Sequence, residues 1–193
     1  MQKVIPIEVS ARHVHLTKHD LEVLFGESYE LKRARDLSQP GQFVSTDEII
    51  LVGSKNKLEH VRVLGPCRVH TQIEVSRTDS VNLGITTPLR LTGKIIGSGA
   101  VKLVGPKGEL ELKEGLIVAK RHLNIDPVAA KNLGLAAGQN IAVEIEGPRA
   151  LIFKEVEVCL VEESDPVIYL DADEANAAGI STNGGEGRII KSK

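Results

Sequence analysis

Short runs in which apolar and polar residues alternate fill this chain. Val4–Val9, Ile49–Val52, Leu58–Leu64, Gln72–Val75, Val101–Val104, Leu110–Leu112, Leu116–Ala119, Ile141–Ile145, Ala150–Phe153, Val156–Val161 and Val167–Leu170 are rich in Val, Ile and Leu. Their period is that of half-buried strands. Gly53-Ser54-Lys55-Asn56, Gly65-Pro66, Gly105-Pro106-Lys107-Gly108 and Gly147-Pro148 supply turns between them. Many short strands with few helices predict a sandwich or barrel. Four short helices are predicted as well, each ending in glycine. Thr17 caps one that runs to Gly26, with Asp20 in its first turn. Asp126-Pro127 opens one that ends at Gly134. Ser76–Gly84 and Asp171–Gly179 have the same form, and the glycines suit left-handed caps. The tail from Ser181 is rich in Gly and Lys, and a frayed end is expected there.

The pattern repeats on a longer scale. Val9-Ser10-Ala11-Arg12-His13-Val14-His15-Leu16 matches Val118-Ala119-Lys120-Arg121-His122-Leu123-Asn124-Ile125. Each copy leads from a strand through Arg-His into a capped helix. Leu51-Val52-Gly53-Ser54-Lys55 likewise matches Leu103-Val104-Gly105-Pro106-Lys107. This self-similarity suggests duplication into two related units.

Composition then narrows the function. The chain has 193 residues, enough for one large or two small domains, and 41% are hydrophobic, the share of a soluble globular protein. A formal charge of -2 offers no polyanion-binding field, and 3% aromatics without Trp offer no stacking platform, so a nucleic-acid partner is not expected. No apolar run is long enough to span a membrane, and the N-terminal residues lack the apolar stretch of a signal peptide. Two cysteines, Cys67 and Cys159, make no disulfide framework and point to a reducing compartment.

The histidines carry the chemical hint. His13 and His15 are two apart, so an extended backbone points both imidazoles to one side, where they can share a metal ion. A packed or surface pair remains the alternative. The repeat brings the same geometry to His122, but Asn124 stands where the second histidine would be, and Asn is a poor zinc ligand. His19 reads as a helix-surface residue. Leu37-Ser38-Gln39-Pro40-Gly41-Gln42-Phe43 is either a surface turn or a ligand-lining loop of amides. Arg68, His70, Gln72 and Glu74 fall at even spacing, and an extended backbone would put all four on one face.

Taken together, the Val9-Ser10-Ala11-Arg12-His13-Val14-His15-Leu16 run, the Leu37–Phe43 loop, Val63-Leu64-Gly65-Pro66 through Ser76-Arg77-Thr78-Asp79, and Asp171-Ala172-Asp173-Glu174-Ala175-Asn176-Ala177-Ala178-Gly179 resemble the PduL-type phosphate acyltransferases of propanediol-utilisation systems. The resemblance covers nearly the whole chain, in order. It implies a mainly β fold of two small β-barrels with short capping helices, one from residues 1–11 plus 120–189 and the other from 12–119. It implies reversible transfer of a short acyl group between coenzyme A and inorganic phosphate, at a site between the barrels that holds two zinc ions. His13, His15 and Glu74 match ligands of the first zinc, and His122 matches one of the second. Arg68 matches the phosphate-binding arginine. Ser10, Gln39, Gln42, Gln72 and Asn176 match polar positions in or near the substrate pocket.

The chain departs from the family at the second zinc. Asn124 and Tyr169 stand where the resemblance leads one to expect histidines, and Cys159 where a basic residue is expected. A single zinc site is therefore predicted, with the second weakened or lost, and Cys159 is read as structural. The expected partners are acyl-CoA and phosphate, with a homo-oligomer of unfixed number. A cytoplasmic location is expected, because no targeting segment precedes the first strand; association with a microcompartment stays open. The competing reading is a catalytically impaired paralogue that binds CoA, phosphate or a partner subunit without turnover. A blander one is a metal-stabilised structural protein.

Overall fold

A computed structural model describes residues 3–190. In chain order its elements are β1 (Val4–Ser10), β2 (His13–His15), α1 (Lys18–Phe25), β3 (Arg33–Asp36), β4 (Phe43–Val52), β5 (Lys57–Gly65), β6 (Gln72–Val75), α2 (Arg77–Leu83), β7 (Leu89–Arg90), β8 (Gly99–Val104), β9 (Glu109–Ala119), β10 (His122–Ile125), α3 (Pro127–Leu133), β11 (Asn140–Ile145), β12 (Leu151–Leu160), β13 (Val167–Asp171), α4 (Ala172–Ala178) and β14 (Gly185–Ile190).

The strands close into two barrels. In residues 11–119 the ring runs β4-β5-β2-β6-β9-β8 and back to β4, with β3 added to β4 and β7 to β9. We call this the middle barrel. The residues up to 10 and those from 120 form the second unit, whose ring is β1-β13-β10-β12-β11-β14, closed by β14 against β1. We call it the terminal barrel. Each has its own core. Val14, Leu51, Val61, Val63, Leu103 and Leu116 are wholly buried in the middle barrel, and Ile5, Leu123, Ile125, Val156 and Ile168 in the terminal one. At about 1.5–3 kcal/mol for each buried aliphatic side chain, such residues are the main favourable contribution.

The rings are equivalent strand for strand. β2 lies parallel to β5 and antiparallel to β6. β10 lies parallel to β12 and antiparallel to β13. β9 beside β6 corresponds to β1 beside β13, both parallel. β8 and β14 close the two rings by antiparallel pairing on both sides. The duplication seen in the sequence is thus a duplication of barrels, with the first strand of each repeat placed in the barrel of the other.

Several expectations are corrected. The tail from Ser181 is not frayed: Gly185–Ile190 is β14, paired on both edges, because its backbone groups find partners in β1 and β11 whatever its composition. Only residues 191–193 of that tail lie outside the described residues. Leu110–Leu112 and Leu116–Ala119 belong to one strand, as do most of Ala150–Phe153 and Val156–Val161. Polar residues interrupt the pattern in both, but the ladder continues through them.

The four helices and their caps fall where the sequence places them, although Gly26 has φ 108° and ψ 159° and is no left-handed cap. The Leu51–Lys55 and Leu103–Lys107 similarity lies within the middle barrel, so it does not relate the two units. It serves the helix ends. Lys55 N donates to Leu83 O at 3.1 Å and Lys107 N to Leu24 O at 2.9 Å, satisfying last-turn carbonyls of α2 and α1. Glycine is required at both hairpins. A Cβ on Gly53 would lie 2.1 Å from Leu83 O, and one on Gly105 would lie 2.5 Å from Leu24 O.

Candidate active site

The middle barrel gathers most of the predicted residues. In the register of β2 and β6, His13 faces Glu74 and His15 faces Gln72. Alternation puts these four side chains on one face, while Val14 and Ile73 enter the core on the other. All four are buried. The two imidazoles meet edge to face with centroids 5.1 Å apart.

Hydrogen bonds set the state of each group. His13 Nδ1 donates to Ala11 O at 2.8 Å, which turns Nε2 toward the site. That Nε2 is 3.7 Å from Glu74 Oε2. Glu74 Oε1 accepts from Gln72 Nε2 at 2.7 Å and Thr92 Oγ1 at 2.6 Å. Gln72 is held in turn by Gly93 N, which donates to its Oε1 at 2.6 Å. His15 Nδ1 is buried with no hydrogen-bond partner. Burial, then the neighbouring His13 and Arg68, depress the His15 pKa to about 2, against the Leu64 carbonyl, which raises it; the ring is neutral.

Arg68 reaches this face from a loop. Residues 66–71 are not a strand, so the expected alignment of Arg68, His70, Gln72 and Glu74 holds only for the last two. The cis Gly65-Pro66 peptide opens the loop, and Arg68 N donates to Leu16 O at 2.8 Å. The half-buried guanidinium donates to Gln42 Oε1 at 3.0 Å. Burial lowers its pKa, and Glu74 opposes that. Among the described residues no carboxylate lies within ion-pair distance of it. A desolvated cation with a neutral partner has the chemistry to take an anion. Arg68, Cys67, His70, Gln72, Gly93 and Ile95 line a cavity of about 380 Å³. Gln39 accepts from Gln42 N at 3.2 Å through its carbonyl and so shapes the loop that holds Gln42.

Ser10, His122 and Asn176 belong to the terminal barrel. Ser10 ends β1 beside Asp171, and Asn176 is exposed on α4. His122 repeats His13 closely: its Nδ1 lies 2.9 Å from Lys120 O. Its cross-strand partner is Tyr169, the counterpart of Glu74, and the rings stack with centroids 5.1 Å apart. Asn124, the counterpart of His15, is buried. Cys159 pairs with Asn124 in the ladder, and burial raises its thiol pKa. His19, His60 and His70 are exposed.

Among the described residues, no three His, Cys, Asp or Glu side chains are grouped closely enough to hold a metal as they stand. The donor chemistry of the middle barrel nevertheless fits one. Two imidazoles, one with an orphaned buried nitrogen, and a carboxylate are a three-donor set of the kind that leaves zinc an open position. The terminal barrel's set of His122, Asn124 and Tyr169 does not fit. Thr92 and Gly93 escape sequence reading, since they sit in an irregular loop with no period or motif.

Comparison with known proteins shows the family. The family profile of phosphate propanoyltransferase matches residues 6–181. The phosphate propanoyltransferase of Listeria monocytogenes is 43% identical over 97% of this chain and 87% of its own length. That of Priestia megaterium is 46% identical over 92% of this chain and 82% of its own. That of Thermotoga maritima is 43% identical over 92% and 85%. Among the described residues no helix is long and apolar enough to cross a membrane. With the profile covering most of its length and these relatives 43–46% identical, the chain belongs to the phosphate propanoyltransferase family, a family of phosphate acyltransferases.

Proposed function

We propose that this acyltransferase moves a short acyl group, propanoyl or acetyl, between coenzyme A and inorganic phosphate, with one zinc ion held by His13, His15 and Glu74. Arg68 carries the reading: its guanidinium is half-buried at a cavity, its side chain donates to the neutral Gln42, and it can take phosphate through paired N–H donors. Bound zinc would supply Lewis acidity toward a phosphate or carbonyl oxygen. The chain's own residues do the rest. Arg68 holds the nucleophile, Gln42 orients Arg68, and Gln72 and Thr92 fix the Glu74 carboxylate. A phosphate oxygen forms the new C–O bond, the thioester C–S bond breaks, and the thiolate leaves. Holding both substrates together removes much of the entropic barrier.

Transfer is direct. Cys67 lines the cavity, but burial raises its thiol pKa, and the same holds for Cys159. Neither is a ready nucleophile. Ser10 and Asn176 keep the roles the resemblance gives them, polar positions in or near the substrate pocket, and Gln39 belongs to the loop that frames Gln42.

The test is acyl phosphate formation from propanoyl-CoA and phosphate, with zinc and after chelation. Zinc-dependent product supports the proposal. The replacements at Asn124 and Tyr169 favour a second reading, an impaired paralogue that binds CoA or phosphate. Substrate binding without product at saturating zinc would establish that reading instead.

A further inference from the structure

We infer that Arg12 is a positioning residue whose ion pair with Asp79 sets the approach of His13 to Glu74; the inference rests on the zinc site proposed above. Arg12 immediately precedes His13, at the turn into β2. Asp79 lies five residues after Glu74, in the first turn of α2. Arg12 Nη2 is 3.1 Å from Asp79 Oδ1, and the carboxylate is buried. The pair therefore ties together the two segments that carry His13 and Glu74.

Asp79 is itself held. Its Oδ2 accepts from Ser76 N at 3.4 Å, and its backbone N donates to Ser76 Oγ at 3.1 Å, a reciprocal capping box. This roots the anchor in the helix that continues directly from β6. On the other side, the carbonyl of Ala11, the residue before Arg12, fixes the His13 ring. Arg12 thus clamps the peptide segment that orients His13.

The terminal barrel repeats the device with the same offsets. Arg121 precedes His122, and Glu174 lies five residues after Tyr169. Arg121 Nη1 is 2.6 Å from Glu174 Oε1, in the capping box of α4. The carbonyl before Arg121 holds the His122 ring. One construction brings His13 to a carboxylate in one barrel and His122 to a phenol ring in the other. The second copy, which lacks a fitting metal set, is a built-in control for purely structural effects.

The experiment compares full-length wild type, Arg12→Gln, Arg12→Lys and Arg121→Gln, reading zinc affinity by chelator competition and stability by thermal melting. Arg12→Gln is expected to weaken zinc binding about 10–100-fold, the usual cost of losing a group that orients metal ligands. Arg12→Lys should recover part of that loss. Arg121→Gln should lower the melting temperature while leaving zinc affinity unchanged. If Arg12→Gln fails to fold, Asp79→Asn, which keeps an acceptor for the cap, must show the same loss of affinity. Wild-type affinity in Arg12→Gln or Asp79→Asn, or an equal loss in Arg121→Gln, overturns the inference and leaves the zinc site standing. Wild-type protein that takes up no zinc overturns the site and the inference together.

Discussion

The middle and terminal barrels share ring order, strand sense and the register that sets a histidine on one strand against a residue on the next. In the middle barrel that register assembles His13, His15, Gln72 and Glu74; in the terminal barrel it assembles His122, Asn124, Val167 and Tyr169. The difference separates two kinds of cause. Backbone pairing decides where a side chain stands and which way it faces. The chemistry of the position is decided afterwards, by substitutions that the ladder tolerates. The terminal barrel has the histidine, its carbonyl partner and its arginine anchor, with Asn124 and Tyr169 at the positions of His15 and Glu74.

Substituting the two histidines tests this contrast most severely. His13→Ala is expected to abolish both zinc uptake and acyl phosphate formation, while His122→Ala keeps one zinc per chain; metal analysis beside a product assay checks both. Unchanged turnover in His13→Ala would refute the one-zinc account, and so would two tightly bound ions in the wild type. Next in size is Arg68→Lys, which keeps charge but loses the planar fork. A charged hydrogen bond is worth about 1.5–3 kcal/mol, so kcat/KM for phosphate should fall by roughly 10–100-fold. The KM for acyl-CoA should change far less.

A third experiment reverses the contrast. The double variant Asn124→His with Tyr169→Glu copies the donors of the middle barrel onto the terminal one. Zinc stoichiometry should rise from one to two, at lower affinity for the added ion. No second ion would show that shared register alone does not make a site.

The smallest effect concerns pH. The His15 pKa falls from 6.5 to about 2 on folding, so the unfolded chain binds more protons between these values. The stability contribution of neutral His15 is present above pH 6.5 and is lost progressively as pH falls toward about 2. In zinc-free protein, His15→Asn, which reproduces Asn124, should flatten this part of the stability profile measured by denaturant titration.

Much of this is legible in the sequence. Alternation marked the long strands because each buries one face, and glycine marked the helix ends. His13, His15 and Glu74 stood out through spacing and resemblance, and the structure brings them to one buried face. What was hidden depends on pairing across distance. β2, β10 and β14 are too short or too polar to announce themselves, and exist because neighbours satisfy both edges. Arg68 joins the site through a loop rather than through strand alternation. Thr92 and Gly93 carry no periodic signal at all. The Arg12–Asp79 and Arg121–Glu174 pairs had a partial signature in the capping boxes Ser76-Arg77-Thr78-Asp79 and Asp171-Ala172-Asp173-Glu174. What those boxes could not show was which arginine met the acid.

The placement of β1 with strands from the far end of the chain has a consequence for biosynthesis. The middle barrel can close as soon as β9 leaves the ribosome, since all its strands are then made. β1 is translated first, yet its neighbours are β13 and β14, which are translated last. It must wait with both edges open while the rest of the protein is built, the period in which a strand is most exposed to pairing with another nascent copy. By the same connectivity, a chain split between residues 119 and 120 leaves the C-terminal fragment one strand short of a closed ring and the N-terminal fragment with that strand to donate.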